Sequence, residues 1–279
     1  MDGGRHVDSP DRFAAHYQEL EARHLSELTF AEVRRALQAL SSLYVERRER
    51  MAEGAALAGA GKRAAFALYY GPMHFLLVRE IVRALGARGP RHILDLGCGT
   101  GAAGAAWALE CGPRTRVEGV DRSGWAVSEA RWTFARFGLD GRATRGDAAT
   151  SPLPKPPAAI LAAFTVNELG DGPRRGLLPR LLDAGRGGST VLVVEPIARR
   201  MSPWWPEWAE AFRGAAGRED EWRFRPALPP RLALLGKAAG LDAREMTGRS
   251  LVLPGEAGLV LPGEAGPAPG RLPNRGSGI

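Results

Sequence analysis

His92-Ile93-Leu94-Asp95-Leu96-Gly97-Cys98-Gly99-Thr100-Gly101 decides the fold. A short apolar run reads as a buried strand, the glycines as a tight turn, and the residues from Ala102 to Glu110 as a helix. A strand that breaks into Gly-x-Gly-x-Gly brings bare backbone up to a ligand, because side chains there would block the approach. Asp95 falls at the carboxyl end of the strand, where open α/β sheets bind their ligands. A carboxylate at that point repels a pyrophosphate and suits a cationic amino-acid head group. A competing pattern shares the stretch: Gly99-x-Gly101-x-x-Gly104, with Asp121 about 20 residues on, satisfies the dinucleotide fingerprint.

Outward from this turn the chain alternates strand and helix, which predicts a parallel sheet. The expected strands are 92–96, 116–120 ending in Asp121, 142–145 followed by Gly146-Asp147-Ala148, 159–164, and 190–194 followed by Glu195-Pro196. Ser123 is placed to cap the helix that carries Trp125, Ala126, Ala130, Phe134 and Phe137. After a tryptophan-rich insertion and a helix over 231–240, segments 243–247 and 250–253 are expected to form an antiparallel edge hairpin. The run Arg218-Glu-Asp-Glu-Trp-Arg-Phe-Arg225 has no decided structure at this level.

Ahead of the sheet, three helices are expected. The first starts near Ser9-Pro10-Asp11, with Phe13, Tyr17, Leu20, His24 and Leu28 at helical spacing. The second starts at Thr29-Phe30-Ala31-Glu32, which fits a capping box. A long amphipathic helix over 64–85 is expected to break near Gly71-Pro72, with Tyr70 and His74 as candidate contacts of a bound substrate. The domain expectation is therefore an unstructured segment 1–10, a helical N-terminal cap 11–88, a ligand-binding α/β domain 89–253 and an unstructured tail 254–279. The tail repeats Val252-Leu-Pro-Gly-Glu-Ala-Gly258 as Val260-Leu-Pro-Gly-Glu-Ala-Gly266 and is rich in Pro and Gly.

Asp95-Leu96-Gly97-Cys98-Gly99-Thr100-Gly101 resembles the first motif of class I S-adenosylmethionine (SAM) dependent methyltransferases. The resemblance implies a Rossmann-like, seven-stranded, mostly parallel sheet with SAM as cofactor. It implies cofactor contacts from Asp95, Gly97, Cys98, Gly99, Gly101, Asp121, Arg122, Asp147, Ala148 and Phe164. Asp95 is expected near the ammonium, Asp121 on the ribose hydroxyls and Asp147-Ala148 beside the adenine. The fourth strand end, Phe164-Thr165-Val166-Asn167-Glu168-Leu169, is where the acceptor meets the methyl group in this fold. Asn167 and Glu168 are the candidate catalytic residues, for orienting or deprotonating an acceptor, with a helix cap as the alternative. Glu195, Trp204 and Trp205 join Tyr70 and His74 as candidate substrate contacts, the tryptophans as a lid or stacking platform or as the packing of a helix onto the sheet.

The chain has 279 residues and a net charge of +7, nearly all of it from arginine, since Lys62, Lys155 and Lys237 are the only lysines. Such charge fits RNA as a partner, and equally the composition of a GC-rich genome. Leu28-Thr29, Tyr44, Asn167-Glu168-Leu169 and Val193-Val194-Glu195-Pro196 resemble the Rsm-type methyltransferase-like family of the small ribosomal subunit, which implies a ribosomal acceptor. The cluster-binding cysteines of that family are absent, so no metal is expected. A small-molecule acceptor with a hydrophobic pocket, and a SAM-binding assembly factor without turnover, are the alternatives. Two cysteines and no long apolar run predict a reduced, cytoplasmic protein with no membrane partner.

Overall fold

The computed structural model describes residues 9–46, 57–198, 202–242 and 244–255. The chain divides into two compact units, 1–73 with 226–244, and 74–225 with 245–279. This division departs from the expected boundary at residue 88 in two ways. The stretch His74–Leu85 belongs with the sheet, and 226–244 belongs with the N-terminal helices. The segments 1–8 and 256–279, both expected to be unstructured, lie outside the described residues.

The first unit is helical. Helix α1 spans Ser9–His24, so its start falls inside the expected unstructured segment. Helix α2 spans Phe30–Glu46 and opens with the expected capping box: Thr29 N donates to Glu32 Oε2 at 2.8 Å, and Glu32 N donates to Thr29 Oγ1 at 3.3 Å. Helix α3, Ala60–Ala65, runs into a π-helical turn, Phe66–Tyr70, and then into α4, Gly71–Leu85. The expected break at Gly71-Pro72 is this widened turn. Proline lacks the N–H that an α-helix needs four residues after a carbonyl, and the longer π spacing re-registers the ladder ahead of it. Tyr17 in α1 donates its hydroxyl to Leu68 O in the π turn at 3.2 Å. The last helix of the unit, α9 (Pro230–Ala238), brings Arg231 to Glu21 at 2.8 Å and over the ring of Phe30.

The second unit is built on one seven-stranded sheet. Its strands are β1 (His92–Leu96), β2 (Arg116–Asp121), β3 (Asp140–Arg145), β4 (Ala159–Ala163), β5 (Thr190–Glu195), β6 (Arg218–Phe224) and β7 (Met246–Leu253). The order is β3-β2-β1-β4-β5-β7-β6, with β1 to β5 mutually parallel and β7 antiparallel to both neighbours. Every residue of β4 and β5 is buried, as expected for central parallel strands covered on both faces. Helices α5 (Ala102–Cys111), α6 (Gly124–Arg136), α7 (Asp171–Arg186) and α8 (Trp205–Gly214) connect or cover the strands. Ser123 caps α6 as expected, accepting from Ala126 N at 3.3 Å.

The expected edge hairpin is corrected. Segments 243–247 and 250–253 do not pair with each other; 246–253 is one continuous strand, and its edge partner is 218–224. The glycine that suggests a break, Gly248, sits inside β7 because a Cβ there would lie 2.9 Å from Leu77 Cδ2. Charge hides β6 in the sequence. In Arg218–Phe224 the buried residues are Asp220 and Trp222, one face of an alternating strand whose other positions carry Glu219, Glu221 and Arg223. Trp222 donates to Ser250 Oγ at 2.8 Å, and Arg218 pairs with Asp220 at 2.8 Å.

Candidate active site

Four consecutive parallel strands deliver loops to the carboxyl edge of the sheet, where a doubly wound fold has its crevice. At the end of β1, Gly97, Gly99 and Gly101 all have positive φ, at 69°, 52° and 75°. A Cβ on Gly97 would meet Thr165 Oγ1 at 2.5 Å, and one on Gly101 would meet Phe134 Cε1 at 2.9 Å. The turn is therefore closed to side chains from two sides. Gly97 N and Cys98 N both donate to Val120 O, at 2.8 and 3.0 Å. The Cys98 side chain is buried toward Gly119, and burial holds its thiol well above the ordinary value. Cys98 therefore reaches the crevice through its backbone.

Asp95 sits at the carboxyl end of β1, where the sequence puts it, and makes one contact that the sequence does not announce. Its carboxylate is almost fully buried, and Oδ2 accepts from Gly104 N at 2.9 Å, one of the unsatisfied donors in the first turn of α5. Burial pushes its pKa up to about 7; the Gly104 N–H works against this and the charge of Asp121 adds to it. Asp95 ties β1 to α5 and supports the glycine turn from beneath.

Asp121 closes β2 with both oxygens engaged on one side only. Oδ2 accepts from Gly99 N at 3.0 Å and Oδ1 from Ser123 N at 2.8 Å. Each oxygen keeps a second acceptor position. At the end of β3, Asp147 Oδ1 accepts from Ala149 N at 2.8 Å, and Oδ2 pairs with Arg122 Nη2 at 2.6 Å. Partial burial favours the protonated form of Asp147, but the Arg122 hydrogen bond, the Ala149 N–H and the Arg122 charge together hold its pKa below the usual value. Ala148 is buried.

The end of β4 carries Phe164 in a left-handed conformation, φ 57°, unusual for a bulky side chain. Its ring stacks on His74 from α4, with centroids 3.7 Å apart and planes 13° from parallel. Burial lowers the pKa of His74 to about 3, so the imidazole is neutral. Thr165 Oγ1 donates into the carbonyls around Leu96, Gly97 and Ala163, the nearest being Leu96 O at 2.9 Å, and this presses the β4 end against the glycine turn.

Asn167 and Glu195 are bound to each other. Asn167 N donates to Glu195 Oε1 at 3.0 Å and Asn167 Nδ2 to Glu195 Oε2 at 2.5 Å. Ser202 Oγ and Trp204 Nε1 both donate to Asn167 Oδ1, at 2.7 and 2.9 Å. Glu195 is completely buried. Trp205, also buried, donates to Glu219 at 2.6 Å and lies 4.0 Å beneath the Arg249 guanidinium. The tryptophans thus pack α8 onto the sheet, with Trp208 and Phe212 in the same core. Glu168 is exposed in the short 3-10 turn Val166–Glu168. Tyr70 belongs to the first unit, where burial raises its pKa against a hydrogen bond with Ser41. Ser202 is the participant that sequence reasoning missed; it is distant in the chain and carries no motif.

Residues 93–186 match the family model of a methyltransferase domain. Solved structures with a similar course include the YcgJ protein from Bacillus subtilis, at 14% identity and TM-score 0.43, covering 64% of this chain and 95% of that one. The mitomycin 7-O-methyltransferase MmcR follows at 15% identity and TM-score 0.49, covering 88% and 76%. NcsB1, an O-methyltransferase from neocarzinostatin biosynthesis solved with SAM, stands at 18% and 0.43, covering 66% and 57%. No curated protein sequence matches the chain. With residues 93–186 matched inside its seven-stranded sheet, the chain carries a methyltransferase domain, and S-adenosylmethionine is the methyl donor that such a domain implies.

The crevice fits that donor. The glycine turn offers backbone where a Cβ has no room, and Asp121 and Asp147 each retain acceptor positions suited to hydroxyl and amine donors. Among the described residues no helix is long and apolar enough to cross a membrane, and no group of three His, Cys, Asp or Glu could hold a metal ion.

Proposed function

We propose that this domain methylates a small-molecule acceptor, by positioning and not by a dedicated base. The observation that carries this reading is the acceptor end of the crevice, where the strand-4 terminus is walled by the Phe164–His74 stack while Asn167 and Glu195 saturate one another. Bound SAM supplies an electrophilic methyl group on a sulfonium. Asp121 accepts from the ribose hydroxyls, Asp147 from the exocyclic amine of adenine beside Ala148, and the backbone of Gly97 to Gly101 lies along the methionine part. His74, being neutral, adds no positive charge to repel the sulfonium. Asn167 holds the β4 end in place, and in-line approach of the acceptor does the rest.

Charge supports this reading over an RNA or ribosomal acceptor. Many arginines near the sheet are matched to carboxylates of the same chain: Arg122 to Asp147, Arg116 and Arg142 to Glu118, and Arg83 to Glu110. Those guanidiniums are already engaged and do not form a free row for phosphates. The test is transfer of labelled methyl from SAM into separated small-molecule and RNA fractions of a cell extract. Label in the small-molecule fraction, insensitive to salt, is the expected result. Label in RNA with a steep salt dependence would overturn the acceptor assignment, and no SAM binding by calorimetry would overturn the site assignment.

A further inference from the structure

Between the β2 and β3 ends, two loops are braced separately and then strapped together. The Asp121–Ser123 turn is pinned by Ser123 N on Asp121 Oδ1, by Gly146 N on Asp121 O at 3.0 Å and by Arg145 Nε on Arg122 O at 3.1 Å. Opposite, the 147–151 turn is pinned by Ala149 N on Asp147 Oδ1, by Ser151 Oγ on Asp147 O at 2.7 Å and by Arg180 on the carbonyls of Ala149 and Ser151. The Arg122 guanidinium bridges these two fixed turns through Asp147 Oδ2. Its partner cannot swing to meet other donors, because the Ala149 N–H holds the second oxygen. A surface ion pair between two free side chains does little; this one joins two braced loops, so ordering entropy has already been lost elsewhere.

We infer that Arg122 is a positioning residue for the purine of the methyl donor: it fixes the rotation of the Asp147 carboxylate so that its remaining acceptor positions meet a 6-amino group, and thereby sets selectivity for a 6-amino over a 6-oxo purine. This rests on the cofactor contacts proposed above. A carboxylate held with acceptors outward gains a hydrogen bond from an amine and meets only repulsion from a carbonyl oxygen, and a site of that kind discriminates strongly only while the carboxylate is held still.

The experiment is calorimetric titration of the full chain with S-adenosylhomocysteine and with S-inosylhomocysteine, at low and high salt. The wild type is expected to prefer the adenosyl compound by about tenfold or more. Arg122→Gln is expected to weaken the adenosyl compound about fivefold at low salt, the upper end for a pair this exposed, and to narrow the preference; Arg122→Lys restores much of both. Asp147→Asn, which can donate to a carbonyl, is expected to shift the preference toward the inosyl compound, an effect that loss of folding cannot imitate. Unchanged affinity and preference in Arg122→Gln would overturn the inference and leave the cofactor reading intact. A wild-type chain that binds neither compound would overturn the cofactor reading itself.

Discussion

Asn167 Nδ2 lies 2.5 Å from Glu195 Oε2, and the same asparagine gives its backbone N–H to Glu195 Oε1. Two donors on Oδ1, from Ser202 and Trp204, determine which way the amide faces. Asn167→Asp replaces a donor with a second carboxylate at that distance. The pair then shares a proton, and its folded pKa rises above the unfolded value. The variant is expected to lose about 3 kcal/mol of stability near neutral pH and to recover part of it as the pH falls below the raised folded pKa. Denaturant unfolding across that range checks it; a deficit independent of pH would show that Glu195 is not the partner that matters.

Asp95 makes the wild type itself pH-dependent. Its folded pKa of about 7 stands above the ordinary 3.8, so the folded state binds more protons between those values. The stability it contributes is fully present below about pH 4 and is lost as the pH rises toward 7, with a slope approaching about 1.4 kcal/mol per pH unit for this one group. Asp95→Asn keeps an acceptor for Gly104 N and is expected to flatten that slope. Unfolding of both proteins at about pH 4.5, 5.5 and 6.5, inside the window between the two pKa values, is the measurement.

Two left-handed glycines, one after α6 and one in the β1 turn, separate two costs. Gly138 has φ 64° with nothing within 4 Å of where a Cβ would sit, so Gly138→Ala is expected to cost about 1 kcal/mol of backbone strain alone. Gly97→Ala adds a collision with Thr165 Oγ1 at 2.5 Å to a similar φ of 69°, and is expected to cost about 3 kcal/mol or more and to abolish S-adenosylhomocysteine binding. Equal losses in the two variants, read by denaturant unfolding, would mean that Thr165 yields without effort.

Asp121→Ala is expected to weaken S-adenosylhomocysteine by about 1–3 kcal/mol, since the proposed charged hydrogen bonds to the ribose would be lost together with the bonds that steady Gly99 and Ser123. Asp121→Asn separates these: it keeps one carbonyl acceptor and is expected to fall between. Titration calorimetry on both, with an unfolding scan as control, decides.

How much of this is legible in the sequence follows from the range of the interactions involved. Local signals carry far: the apolar run at 92–96, the left-handed glycines, the Thr29–Glu32 box and the Ser123 cap are short-range chemistry, and each appears in the structure. Signals that depend on a distant partner do not carry. Arg218–Phe224 has no decided structure in sequence, and becomes a strand through its pairing with β7. Asn167 and Glu195 are separate candidates in sequence, one for orienting an acceptor and one for contacting it, and form a closed knot once Ser202 and Trp204 arrive. Asp95 looks in sequence like a ligand to the cofactor; its proximity to the amide of Gly104 is a property of the βα turn in three dimensions. Trp204 and Trp205 leave a choice between lid and core, and burial decides it for the core.

The order of strands also imposes an order of events on a growing chain. β6 is made before β7, yet among the described residues its one neighbour in the sheet is β7, which is also the outer neighbour of β5. Until residues 246–253 leave the ribosome, the β5 backbone presents an open edge along a strand buried throughout in the finished fold, and β6 has nothing to pair with. The nascent protein therefore carries two unpaired margins from the completion of β6 until β7 is made, and a chain released between residues 225 and 245 keeps both. The last described strand works as a wedge driven between two waiting ones, and the sheet closes only when that wedge has gone in.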